Sequence, residues 1–182
     1  MPRRPAPVIR RATASDAADI ARIARESYLH LPARHVPADM PLYHPKHHQQ
    51  GMQDAATRWA LLSLEGRHVG FAMWRVLPGL AHLHMLFVSA DYQGRGFGVR
   101  LLKHHHREAV REQPGTRLLT LHCLRESSWA TRFYRHQGYT VYEPGDEGRH
   151  TDLYLWIDAC KRYDNGWPLA PDKALLYRLT KG

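Results

Sequence analysis

The chain has 182 residues, 43% of them hydrophobic and 24% charged, with a formal net charge of +9. These are ordinary values for a soluble globular domain with a full core. They leave no room for a membrane span, since no apolar run approaches ~20 residues. The start, Met1-Pro-Arg-Arg-Pro-Ala-Pro, lacks the apolar stretch of a secretory signal. Cys123 and Cys160 provide no disulfide framework and read as packing residues. The chain is accordingly expected to be cytoplasmic. The basic residues are scattered, and no zinc-finger, RNP or basic-zipper pattern occurs. The charge is therefore assigned to an acidic or polyanionic ligand ahead of nucleic acid.

After a flexible tail over residues 1–7, Val8 to Ala12 reads as a first strand. Thr13-Ala-Ser-Asp16 has the form of a helix start. Ile20, Ile23, Ala24, Ser27 and Leu31 recur at helical spacing, which predicts a helix to about Leu29. Residues 30–50 are rich in Pro and His, have no period, and read as a long loop, a feature often functional in compact domains. Gln50 to Thr57 is expected to be a short second helix. Arg58–Leu64 and His68–Leu77 are apolar runs parted by Glu65-Gly66-Arg67, a hairpin signal. Pro78-Gly79 makes the next turn, and His82–Val88 follows as a third consecutive antiparallel strand.

That strand feeds through a polar turn into Gln93-Gly94-Arg95-Gly96-Phe97-Gly98 and then a helix whose apolar face is read as Val99, Leu102, His106, Ala109 and Val110. A glycine turn opening a helix offers free N–H groups where the peptide dipoles favour an anion. It is no P-loop, for want of Gly-Lys-Ser/Thr, and both dinucleotide registers fail at Val99 and Leu101. Pro114-Gly115 ends the helix, and Arg117–Leu124 is the next strand. Ser127 or Ser128 caps a helix carrying Ala130, Phe133 and Tyr134 inward, closed by Gly138. Tyr139–Tyr142 and Ala174–Thr180 read as strands; 152–163, stopped at Asn165-Gly166, is read as an extra helix, with Leu153-Tyr-Leu-Trp-Ile also fitting a strand.

Gln93, Gly96 and Gly98 fill the pattern Gln/Arg-x-x-Gly-x-Gly/Ala after a strand ending Leu86-Phe87-Val88. This resembles the acetyl-CoA loop of the GNAT acyltransferase superfamily. Leu121 to Tyr139 is similar to that family's strand followed by Asn-x-x-Ala-x-x-Phe-Tyr-x-x-x-Gly-Phe, with Ser127 in place of Asn and Tyr139 in place of Phe. The element order matches well over residues 8–142 and loosely beyond. The resemblance implies a single α/β (α+β) domain over 1–182, a mixed, mostly antiparallel sheet of about seven strands flanked by helices, and acetyl-CoA as co-substrate with no metal. It implies that an N–H among Leu86, Phe87 and Val88 holds the acetyl carbonyl. The N–H groups of Gly94, Arg95, Gly96, Phe97, Gly98 and Val99 would hold the pyrophosphate, with Gln93 and Ser127 also on the cofactor side. Arg95 and Arg100 add charge there. Tyr134 corresponds to the tyrosine that acts as general acid at the cofactor sulfur.

Acetyl transfer needs a neutral amine, a stabilised carbonyl oxygen and a protonated leaving thiolate. His82 and His84 address the first. Alternate strand residues share a face, and an ordinary pKa near ~6.5 suits a proton acceptor. The segment Ala81-His-Leu-His-x-Leu-x-Val88 is similar to that of arylalkylamine N-acetyltransferases, where a histidine pair takes the amine proton through water. His122 is a third base candidate. A metal is not favoured, because His82 and His84 supply only two ligands. His104-His105-His106 reads as a solvated or mixed helix face, and His44, His47 and His48 as exposed loop residues. Tyr28, Tyr43, Trp74, Tyr142 and Trp156 are candidates for an aromatic acceptor pocket. The expected partner is an amine, most simply of a small molecule, and a homodimer is compatible with the chain. Protein or peptide acetylation, non-catalytic acyl-CoA binding and a basic nucleic-acid adaptor stand as competing readings.

Overall fold

In the computed structural model, residues 6–29, 39–163 and 171–180 are described. Short apolar runs make seven strands: β1 (Val8–Arg11), β2 (Thr57–Leu64), β3 (Arg67–Leu77), β4 (Leu80–Val88), β5 (Leu118–Leu124), β6 (Thr140–Val141) and β7 (Lys173–Leu179). They form one sheet in the order β1-β2-β3-β4-β5-β7-β6. β1 runs antiparallel to β2, and β7 antiparallel to both β5 and β6. β4 lies parallel to β5 over Leu80–Leu83 and Leu118–Leu121. The helices are α1 (Ala17–Glu26), α2 (Pro45–Gly51), α3 (Phe97–Glu112), α4 (Ser128–His136) and α5 (Leu153–Tyr163). A mixed sheet of seven strands flanked by helices is the architecture expected from the sequence. Among the described residues no helix is long and apolar enough to cross a membrane.

The chain packs as two units, residues 1–74 with 85–105, and residues 75–84 with 106–182. In the first, α1 begins at a polar clasp. Arg10 donates to both oxygens of Asp16 at 2.6 and 2.8 Å, and Thr13 N–H donates to Asp16 Oδ2 at 2.7 Å. The Arg10 guanidinium holds the Asp16 carboxyl far below the usual carboxylate range. Ile20, Ile23 and Ala24 of α1 join Tyr43, Trp59, Leu61 and Phe71 in the core of this unit. The helix ends at Glu26, three residues short of the expected limit, and residues 27–29 continue as a turn.

The expected helix over Gln50–Thr57 is instead α2 over Pro45–Gly51. Pro45 starts it, its fixed φ preset for a first helical turn. Asp54 then turns the chain, accepting from Ala56 N–H at 2.8 Å, so Thr57 already belongs to β2. His48, expected to be exposed, is fully buried, its Nε2 at 2.7 Å from Leu42 O and its ring against Trp59 and Phe71. Residues 30–38 of the expected loop lie outside the described residues.

α3 is rotated relative to the expected face. Leu101, Leu102, His105 and Ala109 are buried, whereas Val110 is 39% exposed. His105 is therefore no part of a solvated face; its ring packs 5.2 Å from that of Trp74.

The core of the second unit gathers Leu77, Leu80, Leu118, Leu153, Trp156, Leu175 and Tyr177. The run Leu153–Tyr163 is a helix, as expected, and its i, i+3 spacing buries Leu153 and Trp156 together. β6 is two residues shorter than expected. Cys123 is a free thiol 3.6 Å from Thr131 Oγ1, and burial pushes its pKa up. The side chain of Cys160 and the expected stop at Asn165-Gly166 lie outside the described residues.

Candidate active site

The glycine turn sits in the first unit. β4 ends at Val88, a single helical turn covers Ala90–Tyr92, and α3 opens at Phe97. Gly94 and Gly96 hold φ of +72° and +80°, a region that costs any residue with a Cβ. Among the described residues, and apart from the chain neighbours, no atom lies within 4 Å of where a Cβ would stand on either, so both present bare backbone to open space. Arg100 N–H bonds to Gly96 O at 3.1 Å, the first bond of the helix. The N–H groups of Phe97, Gly98 and Val99 belong to the first turn of α3, where backbone donors have no partner within the helix. Arg95 lies over the Tyr92 ring at 5.2 Å, and Arg67 lies over the same ring at 5.8 Å. Bare glycines, unsatisfied N–H groups and nearby guanidinium charge fit a pyrophosphate.

Two residues brace this turn. The Gln93 amide donates to Val88 O at 2.9 Å and to Ser27 O at 3.1 Å. Gln93 thus spends its side chain on protein carbonyls, although its motif places it with the cofactor residues. Gly70 on β3 lets the end of β4 come close. A Cβ there would stand 3.0 Å from Phe87 O and 3.1 Å from Leu101 Cδ1, tighter than ordinary packing. The segment Leu86–Val88 is held through these contacts.

The histidines sit in the second unit. The parallel register sets His82 beside Thr120, and His82 Nδ1 lies 2.8 Å from Thr120 Oγ1 with both residues buried. The His82 ring is 4.5 Å from His84, 4.7 Å from His122 and 4.6 Å from Trp156. Trp156 is 5.0 Å from His122 as well, nearly perpendicular. The three base candidates therefore form one cluster, closed on one side by the indole of α5. His84 is the exposed member. Burial, with Lys173 and His84 nearby, pulls the His122 pKa down to about 4. At neutral pH His122 is thus an uncharged imidazole, a weaker proton acceptor than an ordinary histidine, and among the described residues its buried Nε2 has no hydrogen-bond partner. Among the described residues no group of three or more His, Cys, Asp or Glu is arranged to hold a metal ion.

Tyr134 of α4 packs its ring 5.0 Å from Phe133 and 5.8 Å from Tyr139. Burial raises its hydroxyl well above the ordinary tyrosine range, so it remains a proton donor at any physiological pH. Gly138, at φ +84°, closes α4 as expected. Ser127 occupies the N-cap position but makes no capping bond through its side chain; its N–H donates to Leu124 O and its carbonyl accepts from Ala130 and Thr131 N–H. Three of the five aromatic pocket candidates belong to the first unit and two to the second. Tyr28 and Tyr43 form an edge contact in the first unit, at 6.3 Å. Trp74 is buried against His104 and His105. Tyr142 packs against the core that contains Trp156. Thr120 and Lys173 were not singled out from the sequence, because only the β4–β5–β7 pairing brings them to the histidines.

Sheet order and the strand–glycine turn–helix junction define an acyltransferase fold. The model of the acetyltransferase (GNAT) family matches residues 18–139, and the chain belongs to that family. No curated protein matches the sequence significantly. The structure is similar to the PaiA N-acetyltransferase of Thermoplasma acidophilum in complex with coenzyme A, with a TM-score of 0.73 at 14% identity over 96% of this chain and 99% of that one. It is also similar to an acetyltransferase of Thermus thermophilus, with a TM-score of 0.69 at 20% identity over 96% and 97%. The ribosomal-protein-S18-alanine N-acetyltransferase of Escherichia coli gives 0.64 at 19% identity, covering 97% of each chain. At these identities the likeness is one of fold.

Proposed function

We propose that this protein transfers an acetyl group from acetyl-CoA to a primary amine, most simply that of a small molecule, by direct attack. The observation that carries the reading is the cluster of three imidazoles, His82, His84 and His122, on the strand that runs into the glycine turn and on its parallel neighbour. The backbone of Gly94–Val99 would hold the pyrophosphate of the co-substrate. A structure of the Thermoplasma acidophilum relative contains coenzyme A, which supports the same ligand here. An N–H among Leu86, Phe87 and Val88 would polarise the thioester carbonyl. Neutral imidazole would take the amine proton, His84 exchanging it with solvent. Tyr134 would return a proton to the departing thiolate, its raised pKa keeping it protonated until then. The test is free-thiol release from acetyl-CoA against a panel of amines, aminoglycosides, amino acids and peptides. Turnover of small amines supports the reading, and turnover confined to peptides replaces it with protein acetylation. Tight coenzyme A binding with no thiol release for any acceptor makes the protein a non-catalytic binder.

A further inference from the structure

The side chain of Gln93 is a fork with two donors and two engaged carbonyls, Val88 O at 2.9 Å and Ser27 O at 3.1 Å. Both acceptors are carbonyls, so the amide orientation follows from chemistry: only its nitrogen can donate to them. The two carbonyls belong to different elements. Val88 ends β4, immediately after Phe87, and Ser27 follows the last residue of α1, immediately before Tyr28. Those neighbours touch, the Tyr28 and Phe87 rings being 5.9 Å apart. Tyr28 in turn meets Tyr43, and Phe87 stacks on Phe71 at 5.4 Å. Residues 94–96, next in chain, form the glycine turn.

We infer that Gln93 is a positioning residue, not a coenzyme contact, and that it couples the glycine turn to the Tyr28–Tyr43–Phe87 wall, so that filling the turn orders the end of α1. The inference rests on the turn being the coenzyme site. The physical reason is that both ends of the coupling hang on one planar group. Immobilising residues 94–96 with a ligand fixes the Gln93 backbone and removes freedom from its amide. The Ser27 carbonyl is then held at less entropic cost, and the Tyr28 ring with it.

The test is amide hydrogen exchange at Ser27, Tyr28 and Leu29, whose N–H groups bond to Ile23, Arg25 and Glu26 carbonyls. It is measured by NMR with and without coenzyme A, alongside calorimetric titration of coenzyme A. Coenzyme A should slow these three amides about fivefold or more in the wild type, the lower end of ordinary coupling energies. Gln93→Glu keeps the shape but sets a carboxylate against two carbonyls, so the slowing should vanish. Gln93→Arg, which restores two donors, should return it. Gln93→Ala is the second variant should the glutamate weaken folding, and it should also lose the slowing. Equal slowing in Gln93→Ala and the wild type, or no slowing in a wild type that binds coenzyme A, would overturn the coupling. A wild type that binds no coenzyme A removes the assignment of the turn, and the coupling with it.

Discussion

Replacing Thr120 with Val tests whether the histidine cluster works as a proton acceptor. The substitution keeps branching and volume and removes only the hydroxyl 2.8 Å from His82 Nδ1. His82 is 2% and Thr120 0% exposed, so no bulk water can replace the lost partner. A buried polar atom left unsatisfied costs about 1–3 kcal/mol. Expressed in the transition state, that cost would lower kcat/KM by about 5- to 150-fold, and the pH–rate profile would shift because the hydroxyl also biases the tautomer of the His82 ring. Thr120→Ser is the control. It keeps the hydroxyl and loses a methyl group, so it should cost about 1 kcal/mol in urea unfolding while leaving the pH profile in place. The assay is thiol release across pH 5–9 paired with urea denaturation of each variant. If Thr120→Val unfolds like Thr120→Ser and matches the wild-type rate and pH profile, His82 is a packed core residue and the base lies elsewhere.

Tyr134→Phe should reduce kcat by about 100-fold or more, the ordinary contribution of a general acid, with coenzyme A affinity by calorimetry little changed; an unaltered kcat would remove Tyr134 from the mechanism. Gly70→Ala should push the Phe87 carbonyl, 3.0 Å from the new methyl, and cost about 1–3 kcal/mol of stability. Because it displaces Leu86–Val88, its kcat should fall more than its KM for acetyl-CoA rises; a variant as stable and active as the wild type would refute the close-approach argument. Acid should destabilise the fold steeply. His122 and His106 are each held at about 4 by burial, the one further lowered by Lys173 and His84 and the other by Arg178. Between the ordinary ~6.5 and pH 4 the unfolded chain takes up protons that the folded one refuses. Stability is therefore complete above that range and is lost on the way down, by up to about 3 kcal/mol for each histidine. Urea midpoints that stay level from pH 7 to pH 4.5 would refute this, and His122→Asn should flatten the slope.

The sequence carried those parts of the fold that depend on neighbours in the chain. β2, β3 and β5 follow from apolar runs, and the β4 turn into α3 from glycines whose positive φ no other residue tolerates well. The departures have local causes too. Glycine at the start of α3 hides the helix phase, so the pattern points His106 and Val110 inward where His105 faces the core. Polar residues at a buried position give no hydropathy signal, and His105 packs on the ring of Trp74, 31 residues away in the chain. α2 departs from expectation because Gln50–Thr57 looks helical by composition, whereas Pro45 and the Asp54 turn set its limits. At the site, His82 and His84 stand out because they alternate on one strand. Their meeting with His122, Thr120 and Trp156 depends on parallel pairing and on a helix near the end of the chain, neither of which a spacing pattern reports.

The indole that closes the histidine cluster belongs to α5, which falls between β6 and β7 in chain order, far along the chain from the glycine turn. The surroundings of the imidazoles and the backbone of the turn are thus encoded in separate stretches of the gene. Exchanging residues around Trp156 would recast what the imidazoles face while the backbone proposed to hold the pyrophosphate keeps its sequence. A library confined to α5 is therefore the economical place to look for altered acceptor choice. Its successful members should keep the coenzyme A affinity of the parent.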